Sequence, residues 1–499
     1  MIATIHSATL YGVWGHPVSV EVHVSNGLPT FTVVGHPDTS CKEARDRVRA
    51  ALLSSELEWP MQRITVNLAP SDVPKAGAGL DLSIALGLLV ASGQLTPESL
   101  KGIGAIGELG LDGSVRAVQG ALPLIDAIDA REIVVPADDY SVADLVKGSR
   151  ARPVRTLREV YDVLSGTSAW PDPPPVPVSG GAIAHPDLAE VSGQPFARWA
   201  IEVAAAGGHH MLLVGPPGAG KTMLARRVVG LLPELSSDAA LEVTRVHSAA
   251  GLGLPPGGLV TRAPMRSPHH SASMAAIVGG TSRMRPGEVS CATEGVLFLD
   301  ELGEFAPSVL DAMRQPLEEG VVRVARANGT IEHPARFLLV AAMNPCPCGA
   351  GGGAGCRCAP HAVARYQRRL SGPFVDRLDL VVHVDRPDPA DLISVASGES
   401  SVEVAERVSK VRSLANSRGV NSNSDLSDAD LEKHAPLSSK ARDVLRQALV
   451  DGRLSARGLR RVRAVARTIR DLDDAGTQIR TEDALAALSL RSRPTRLAA

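Results

Sequence analysis

The stretch Met211–Thr222, MLLVGPPGAGKT, predicts more about this chain than any other. It ends in G-x-x-x-x-G-K-T, the pattern of a phosphate-binding P-loop, in which glycines let backbone N–H groups face the phosphates. The apolar run LLV before the loop is typical of a buried strand, and MLARRVVGLL after it has helical spacing, which a chance glycine-rich turn would not explain. We therefore expect a nucleoside triphosphate to contact Gly215, Pro216, Pro217, Gly218, Ala219, Gly220, Lys221 and Thr222.

Length and composition indicate a multidomain α/β protein of the cytoplasm. A chain of 499 residues predicts several domains. The net charge of −2 gives no global field for nucleic acid or membrane, so any basic surface must be local. We find no secretory signal and no apolar run of the ~18 residues that a membrane helix needs. Four of the six cysteines cluster, which favours a metal over disulfides.

Residues 1–168 are predicted to form a mixed α/β domain. SVEVHVS, FTVVG and ITVNLAP alternate like strands, whereas CKEARDRVRAALLSS and LSIALGLLVASG have helical patterns. A formal GxGxxG at Gly102–Gly107 is followed by GELGLDGSVRAV, which indicates a hairpin turning at Asp112-Gly113 rather than a nucleotide site.

Three segments of this first domain, PSDVPKAGAGLDLSIALGLL, GELGLDGSVRAV and IVVP, resemble the proteolytic domain of Lon and the matching domain of the recombination ATPase RadA. The resemblance implies a Lon-protease-like (S5-type) α+β fold. Lon-type proteolysis needs a serine nucleophile and a lysine base. Here Gly79 takes the serine's place, and no lysine occurs from Gly120 to Ala130. We therefore expect a non-catalytic relative in which Lys75 is an ordinary surface lysine.

The clearest boundary is proline-rich. Residues 169–186 contain WPDPPPVPVSGG, which favours an extended, semi-rigid linker. We expect an ATPase core over residues 187–386 and a helical domain over residues 387–499.

Two further strands should carry phosphate chemistry. GVLFLDE, from Gly295 to Glu301, predicts a buried strand that delivers two acids at the carboxyl edge of a sheet, although a strand ending in surface acids is the alternative. If this chain works as P-loop enzymes do, Asp300 and Thr222 would hold Mg²⁺, and Glu301 would orient and deprotonate the attacking water. The strand ARFLLVAAMN ends at Asn344, whose amide could bond the γ-phosphate or the water.

The motifs LFLDE, QPLEEG, MNPCPCG, SGPFVDRLDL and LSARGLRRVRAVARTIRDL, together with the P-loop, resemble the magnesium-chelatase-like branch of AAA+ ATPases, and within it the YifB/ComM group. The resemblance covers essentially the whole chain. It implies an AAA+ core with a C-terminal helical lid, a hexameric ring, and an ATP-driven DNA helicase that promotes branch migration in recombination or natural transformation. An alternative is a chelatase-type ATPase that remodels a protein partner, since both share every nucleotide motif.

The same resemblance assigns roles to three residues. It implies that Asn344 is sensor 1, that Arg377 is the arginine finger reaching a neighbouring subunit's site, and that Arg457 is the sensor 2 arginine of the lid. For Arg377 a surface ion pair within D-R-L-D is the alternative.

A cysteine cluster lies between the third strand and the finger. Cys346, Cys348, Cys356 and Cys358 occur as C-x-C…C-x-C in a glycine-rich loop, a set that fits a tetrahedral structural Zn²⁺ site. His361 could replace one ligand, and four reduced thiols without a metal are the alternative.

Two basic segments are candidates for contact with single-stranded or branched DNA. A hairpin around Asn328-Gly329 would place Arg323 and Arg326 in the channel of the ring, where the implied family carries a pore hairpin; a surface hairpin is the alternative. The second segment, residues 452–470, carries Arg453, Arg460, Arg463, Arg467 and Arg470, which a packed helix would explain nearly as well. Because aromatic residues are 3% of the chain, we expect electrostatic binding of low sequence preference.

Overall fold

The computed structural model describes residues 1–177, 185–280, 284–326, 329–350, 355–390, 398–474 and 476–491. The strands are β1 Ile2–Tyr11, β2 Trp14–Ser25, β3 Thr30–Val34, β4 Arg63–Ala69, β5 Ile103–Ala105, β6 Glu108–Leu109, β7 Val115–Arg116, β8 Glu132–Pro136, β9 Ala151–Val154, β10 Met211–Val214, β11 Met265–Arg266, β12 Val296–Leu299, β13 Val321–Arg326, β14 Gly329–Pro334, β15 Leu338–Met343 and β16 Leu380–His383.

The α-helices alternate with these strands and then continue alone. Their bounds are Thr39–Ser54, Asp81–Ala91, Ala121–Ala127, Tyr140–Lys147, Leu157–Leu164, Pro195–Gly207, Lys221–Arg227, Ser237–Ala250, Met274–Val278, Glu288–Cys291, Pro307–Ala312, Arg314–Glu319, Pro360–Gln367, Gly372–Val375, Ser401–Ser417, Asp428–His434, Ser439–Val450, Ala456–Leu472 and Thr481–Ser489. No helix among the described residues is long and apolar enough to cross a membrane.

The N-terminal part contains a mixed sheet in the order β3-β4-β2-β1-β5-β8-β9. β2 pairs antiparallel with β1 and β4, whereas the outer strands add in parallel. The helix Asp81–Ala91 is buried at every position, as expected for a helix that is apolar all round. The predicted hairpin at Asp112-Gly113 is confirmed as β6 and β7, and Gly113 has the positive φ of +83° that its turn requires.

Lys75 is not the surface lysine that we expected. Its backbone N–H donates to the His36 carbonyl, its carbonyl accepts from Asp38, and this pairing carries the side chain inward. The residue is 0% exposed, and its Nζ has no hydrogen-bond partner among the described residues. Burial lowers the pKa of this amine.

The central sheet is parallel throughout, in the order β11-β12-β15-β10-β16. Its strands are near-continuous apolar runs because both faces are covered. Met211 and Leu213 of β10 pack into a core that includes the C-terminal helices. Leu212 and Val214 face a second core on the opposite side. The sheet is therefore the layer on which the helical C-terminus rests.

The N-terminal part of the chain contacts the part that contains the parallel sheet directly. The helix Ala121–Ala127 lies against the helix Ser237–Ala250, and the Gly120 N–H donates to the Ser248 carbonyl at 3.0 Å. At the turn between β1 and β2, a Cβ on Gly12 would lie 2.0 Å from Ile331 Cδ1 of the β13–β14 hairpin. The predicted hairpin pairing is confirmed, whereas its turn residue Asn328 lies outside the described residues.

The C-terminal helices pack around Ala456–Leu472, and this packing corrects one expectation for the basic helix. Arg467 and Arg470 are 1% and 4% exposed, so they do not present charge to a DNA backbone. Arg460 donates to the Leu426 carbonyl, and Arg463 pairs with Glu432. The packed-helix alternative is therefore the one found for Arg467 and Arg470, whereas contact of Arg453, Arg460 and Arg463 with DNA stays a prediction.

Asp471 is the acid that pairs with Arg418 and Arg467 inside this bundle. It accepts from Arg418 at 2.6 Å, from Arg467 at 2.8 Å and from Asn423 at 2.9 Å, and it is itself buried. Burial alone would raise its pKa, but the Arg418 hydrogen bond and the Arg467 charge hold the pKa below its ordinary value.

We predict that Asp471→Ala destabilises the C-terminal bundle by about 3–5 kcal/mol, because it leaves buried guanidinium groups without their counter-charge. Chemical denaturation followed by circular dichroism measures the change. The matched control is Asp451→Ala, which removes an exposed partner of Arg453 and should leave stability nearly unchanged. Equal transitions for both variants would contradict the structural role of Asp471.

Candidate active site

The P-loop joins the carboxyl end of β10 to the helix Lys221–Arg227. Gly215 passes so close to the neighbouring strand segment that a Cβ there would lie 2.0 Å from the Val384 carbonyl oxygen. Gly218 and Gly220 have φ values of +80° and +87°, which favour glycine. The loop's three glycines are therefore required by its path as well as by access to phosphate.

Lys221 is held by the loop itself. Its Nζ donates to the carbonyls of Gly215 at 2.7 Å and Pro216 at 2.9 Å, and to Asn344 Oδ1 at 3.2 Å. The residue is 8% exposed, and burial lowers the pKa of the amine against the opposing charge of Asp300. Because β15 runs parallel to β10, it delivers Asn344 to the same edge. The predicted phosphate lysine and the predicted strand-end amide are thus in contact.

The two acids of the second motif have different surroundings. Asp300 is engaged by both oxygens: Thr222 Oγ1 donates to Oδ2 at 2.8 Å, and the Glu301 N–H donates to Oδ1 at 2.9 Å. Glu301 has φ +52°, a left-handed backbone that is strained for a residue with a side chain and that recurs at active sites. Its carboxylate is 57% exposed, so a water molecule has access to it.

His270 is a site residue to which the sequence analysis gave no role. Its Nδ1 lies 3.1 Å from Glu301 Oε2, and its ring meets Phe305 edge-on. The available signal was topological: His270 follows β11, which runs parallel to β12 and ends at the same edge as Asp300. His270 is therefore positioned to orient the Glu301 carboxylate.

Arg377 and Arg457 lie away from this edge. Arg377 is buried, pairs with Glu318 at 2.7 Å and donates to the Pro373 carbonyl. Arg457 is exposed and approaches the same Glu318 at 3.8 Å. Arg461 joins the Arg377 carbonyl to Asp379, at the amino end of β16.

The position of Asp379 locates these arginines relative to the P-loop. Asp379 accepts from the backbone N–H of His210, immediately before β10. From His210 to Gly215 is on the order of 15 Å at the rise of an extended strand. The structure therefore brings Arg377 and Arg457 together at the amino edge, while Lys221 and Asp300 occupy the carboxyl edge.

The four clustered cysteines have their sulfur atoms close together. Cys346 Sγ lies 3.4 Å from Cys348 Sγ and 3.9 Å from Cys356 Sγ, Cys348 Sγ lies 3.6 Å from Cys356 Sγ, and with Cys358 all four lie within 4.8 Å of one another. These separations exceed a disulfide bond and match the roughly 3.8 Å edges of a tetrahedron built on Zn–S bonds of ~2.3 Å. Backbone N–H groups of Ala350 and Arg357 lower the pKa of Cys348 to about 6. His361 is not among the ligand atoms that lie within 4.8 Å of one another.

Arg323 of the hairpin is paired rather than free. Its guanidinium contacts Glu319, and Nε donates to Glu332 at 2.6 Å across the two strands. The side chain of Arg326 lies outside the described part of the chain.

The geometry at the carboxyl edge defines the class of a P-loop ATPase. The family descriptions that match are "Magnesium chelatase, subunit ChlI" over residues 187–392, "Subunit ChlI of Mg-chelatase" over residues 20–139 and "Magnesium chelatase, subunit ChlI C-terminal" over residues 398–491. The chain therefore belongs to the magnesium-chelatase-like AAA+ ATPases, in the YifB/ComM group.

Relatives cover nearly the whole chain. The chain is 44% identical to "Uncharacterized protein YifB" of Escherichia coli, over 95% of this chain and 94% of that protein. It is 44% identical to "Competence protein ComM" of Haemophilus influenzae, over 94% of each. A magnesium-chelatase subunit ChlI of Olisthodiscus luteus is 26% identical over 31% of this chain.

We predict that His270→Ala lowers kcat for ATP hydrolysis on the order of tenfold to a hundredfold with little change in KM, because a displaced Glu301 carboxylate costs reactivity more than binding. Steady-state ATPase kinetics measure both constants. His23→Ala, at an exposed histidine of β2, is the control and should retain kcat. A loss confined to KM would contradict an orienting role for His270.

Proposed function

We propose that the protein is an ATP-hydrolysing hexameric motor that acts on DNA, with a role in branch migration during recombination or natural transformation. The observation that carries the proposal is the convergence of Lys221, Asn344, Thr222, Asp300 and Glu301 at one edge of a parallel sheet. A ligand at the carboxyl edge of such a sheet meets a helix N-terminus and strand-end side chains together.

Each residue then has one task. Lys221, already positioned by the loop carbonyls, contacts the β- and γ-phosphates, and Asn344 holds the γ-phosphate or the water. Thr222 and Asp300, hydrogen-bonded to each other, offer the oxygen atoms that would hold Mg²⁺. Mg²⁺ bound there would neutralise charge on the phosphate oxygens. Glu301 is exposed, adjacent to these groups, and accepts the proton of the attacking water.

Assembly of the chain into a ring would give the arginines at the opposite edge a role in nucleotide hydrolysis. Arg377 and Arg457 lie at the amino edge of the sheet, whereas their own P-loop lies at the carboxyl edge, so they serve a nucleotide only if it belongs to another subunit. A cyclic assembly supplies that arrangement, because it places the carboxyl edge of one subunit against a different face of its neighbour. Arg377 would leave Glu318 to reach the neighbour's phosphates.

DNA is the proposed substrate, supported by two observations. One relative that matches nearly the full length of this chain is named "Competence protein ComM". The β13–β14 hairpin projects Arg323 from the ATPase core, and phosphate groups could compete with Glu319 and Glu332 for its guanidinium. We further propose that the N-terminal sheet is a Lon-like domain without peptidase activity, since Gly79 supplies no nucleophile.

The proposed cofactors are ATP, Mg²⁺ and one structural zinc ion. The zinc would be held by Cys346, Cys348, Cys356 and Cys358, whose sulfur separations fit a tetrahedral thiolate site.

We predict that Glu301→Gln lowers kcat for ATP hydrolysis by about a hundredfold or more while nucleotide affinity stays nearly unchanged, because the amide accepts no proton but preserves the shape of the side chain. Fluorescent-nucleotide binding and a phosphate-release assay measure the two quantities. Asp300→Asn should instead weaken Mg²⁺-dependent nucleotide binding. Normal turnover by Glu301→Gln would refute the assignment of the base.

We predict that single-stranded and branched DNA stimulate the ATPase, that the stimulation fades as salt rises, and that Arg323→Ala/Arg326→Ala weakens it. Each lost phosphate contact should reduce the salt slope by about 1. Arg446→Ala, an exposed arginine of the C-terminal helices, is the control and should keep the wild-type slope. Basal hydrolysis without any DNA stimulation at low salt would contradict the DNA motor and favour a protein-remodelling ATPase.

A further inference from the structure

We propose that the metal at the four cysteines controls the nucleotide site, by clamping the segment after Asn344 to the P-loop on one side and to the segment after Glu301 on the other. The inference rests on the zinc site of the proposed function. It adds that occupancy of that site sets how tightly the chain holds a nucleotide.

The first anchor lies at the start of the cysteine segment. Asn344, which contacts Lys221, precedes Cys346 by two residues. The Gly349 N–H closes a turn onto the Cys346 carbonyl at 2.9 Å, and Gly349 is buried with φ +84°. A Cβ on Gly349 would lie 2.4 Å from Pro217 Cδ of the P-loop. The backbone immediately after the second ligand, Cys348, is therefore packed directly against the phosphate-binding loop.

The second anchor lies beyond the last cysteine. The helix Pro360–Gln367 begins two residues after Cys358 and carries Tyr366, which is buried. A Cβ on Gly303 would lie 2.3 Å from Tyr366 Cζ, so this ring packs against the backbone just after Glu301. Arg369 adds hydrogen bonds to the Gly303 carbonyl at 2.7 Å and to Glu304 at 2.9 Å.

A tetrathiolate ion would join these two anchors. Cys346 and Cys348 belong to the anchor on the P-loop, whereas Cys356 and Cys358 lead into the helix on the Glu301 side. Four bonds to one ion fix both pairs at the separations found here. Without the ion, the contacts between the two cysteine pairs among the described residues are weak thiol–thiol contacts, so the two anchors separate more easily. Metal binding and nucleotide binding therefore favour the same arrangement, and each raises the affinity for the other.

The test begins with the metal itself. We expect about one zinc ion per full-length chain by elemental analysis, and expect Co²⁺ substitution to give the absorption of a tetrahedral thiolate site. Cys348→Ser/Cys358→Ser should abolish both signals. Cys41→Ser, at a buried cysteine outside the cluster, should preserve them. A wild-type chain without bound zinc, or with octahedral cobalt, would overturn the inference.

The coupling is measured by nucleotide affinity, which does not depend on hydrolysis or DNA. Removing zinc with a chelator should weaken fluorescent-nucleotide binding on the order of tenfold, and zinc should restore it. Gly349→Ala should keep the zinc but lose nucleotide affinity, because its Cβ intrudes on Pro217. Gly355→Ala is the matched control: it also has positive φ, but no atom of the described residues lies within 4 Å of its Cβ.

The outcomes separate the inference from the proposed function. Zinc bound at one per chain with nucleotide affinity unchanged on its removal would overturn the coupling. Zinc-dependent nucleotide binding in a chain that neither hydrolyses ATP nor responds to DNA would support the coupling and refute the motor.

Discussion

The parallel pairing of β10 with β15 and β16 is the constraint on which the rest of the structure depends. Parallel strands all end at one edge, so residues far apart in sequence meet there: Lys221 and Asn344, 123 positions apart, are in contact. The same direction of the strands forces Asp379 and its arginines to the opposite edge. One sheet thereby separates the groups proposed to bind a subunit's own phosphates from the arginines proposed to serve a neighbouring subunit.

Elements of the site that carry a short local sequence pattern could be predicted from the sequence. The P-loop, the acid strand and the strand ending at Asn344 could be predicted, because each is a short apolar run followed directly by its polar groups. The four cysteines could be predicted as a cluster because they lie within thirteen consecutive positions. In each case the residues concerned are close together in the sequence, so the prediction does not require knowledge of the tertiary structure. His270 has no such pattern, because its meeting with Glu301 depends on the order of strands in the sheet.

The burial of two charged side chains could not be predicted from the sequence either. Lys75 and Arg467 carry side chains that are almost never fully buried unless paired, so the sequence favours a surface position for both. Arg467 is inside because Asp471 and carbonyls of the segment beyond its helix meet it there. Lys75 is inside although its Nζ has no hydrogen-bond partner among the described residues, and backbone pairing with residues 36–38 holds its segment in place. Both depend on partners that lie elsewhere in the chain, and spacing does not reveal them.

The contact between the N-terminal sheet and the hairpin has a consequence for how such a chain changes shape. The turn at Gly12 meets Ile331, while Val13 is buried with Val246 and Ala249 of the adjacent helix. A hairpin that moves against the ATPase core must therefore slide on, or carry along, the first two strands of the protein. Packing against the N-terminal sheet thus opposes movement of the β13–β14 hairpin. A chain shortened to residues 187–499 would expose apolar surface on this hairpin, which the proposed motor requires to move.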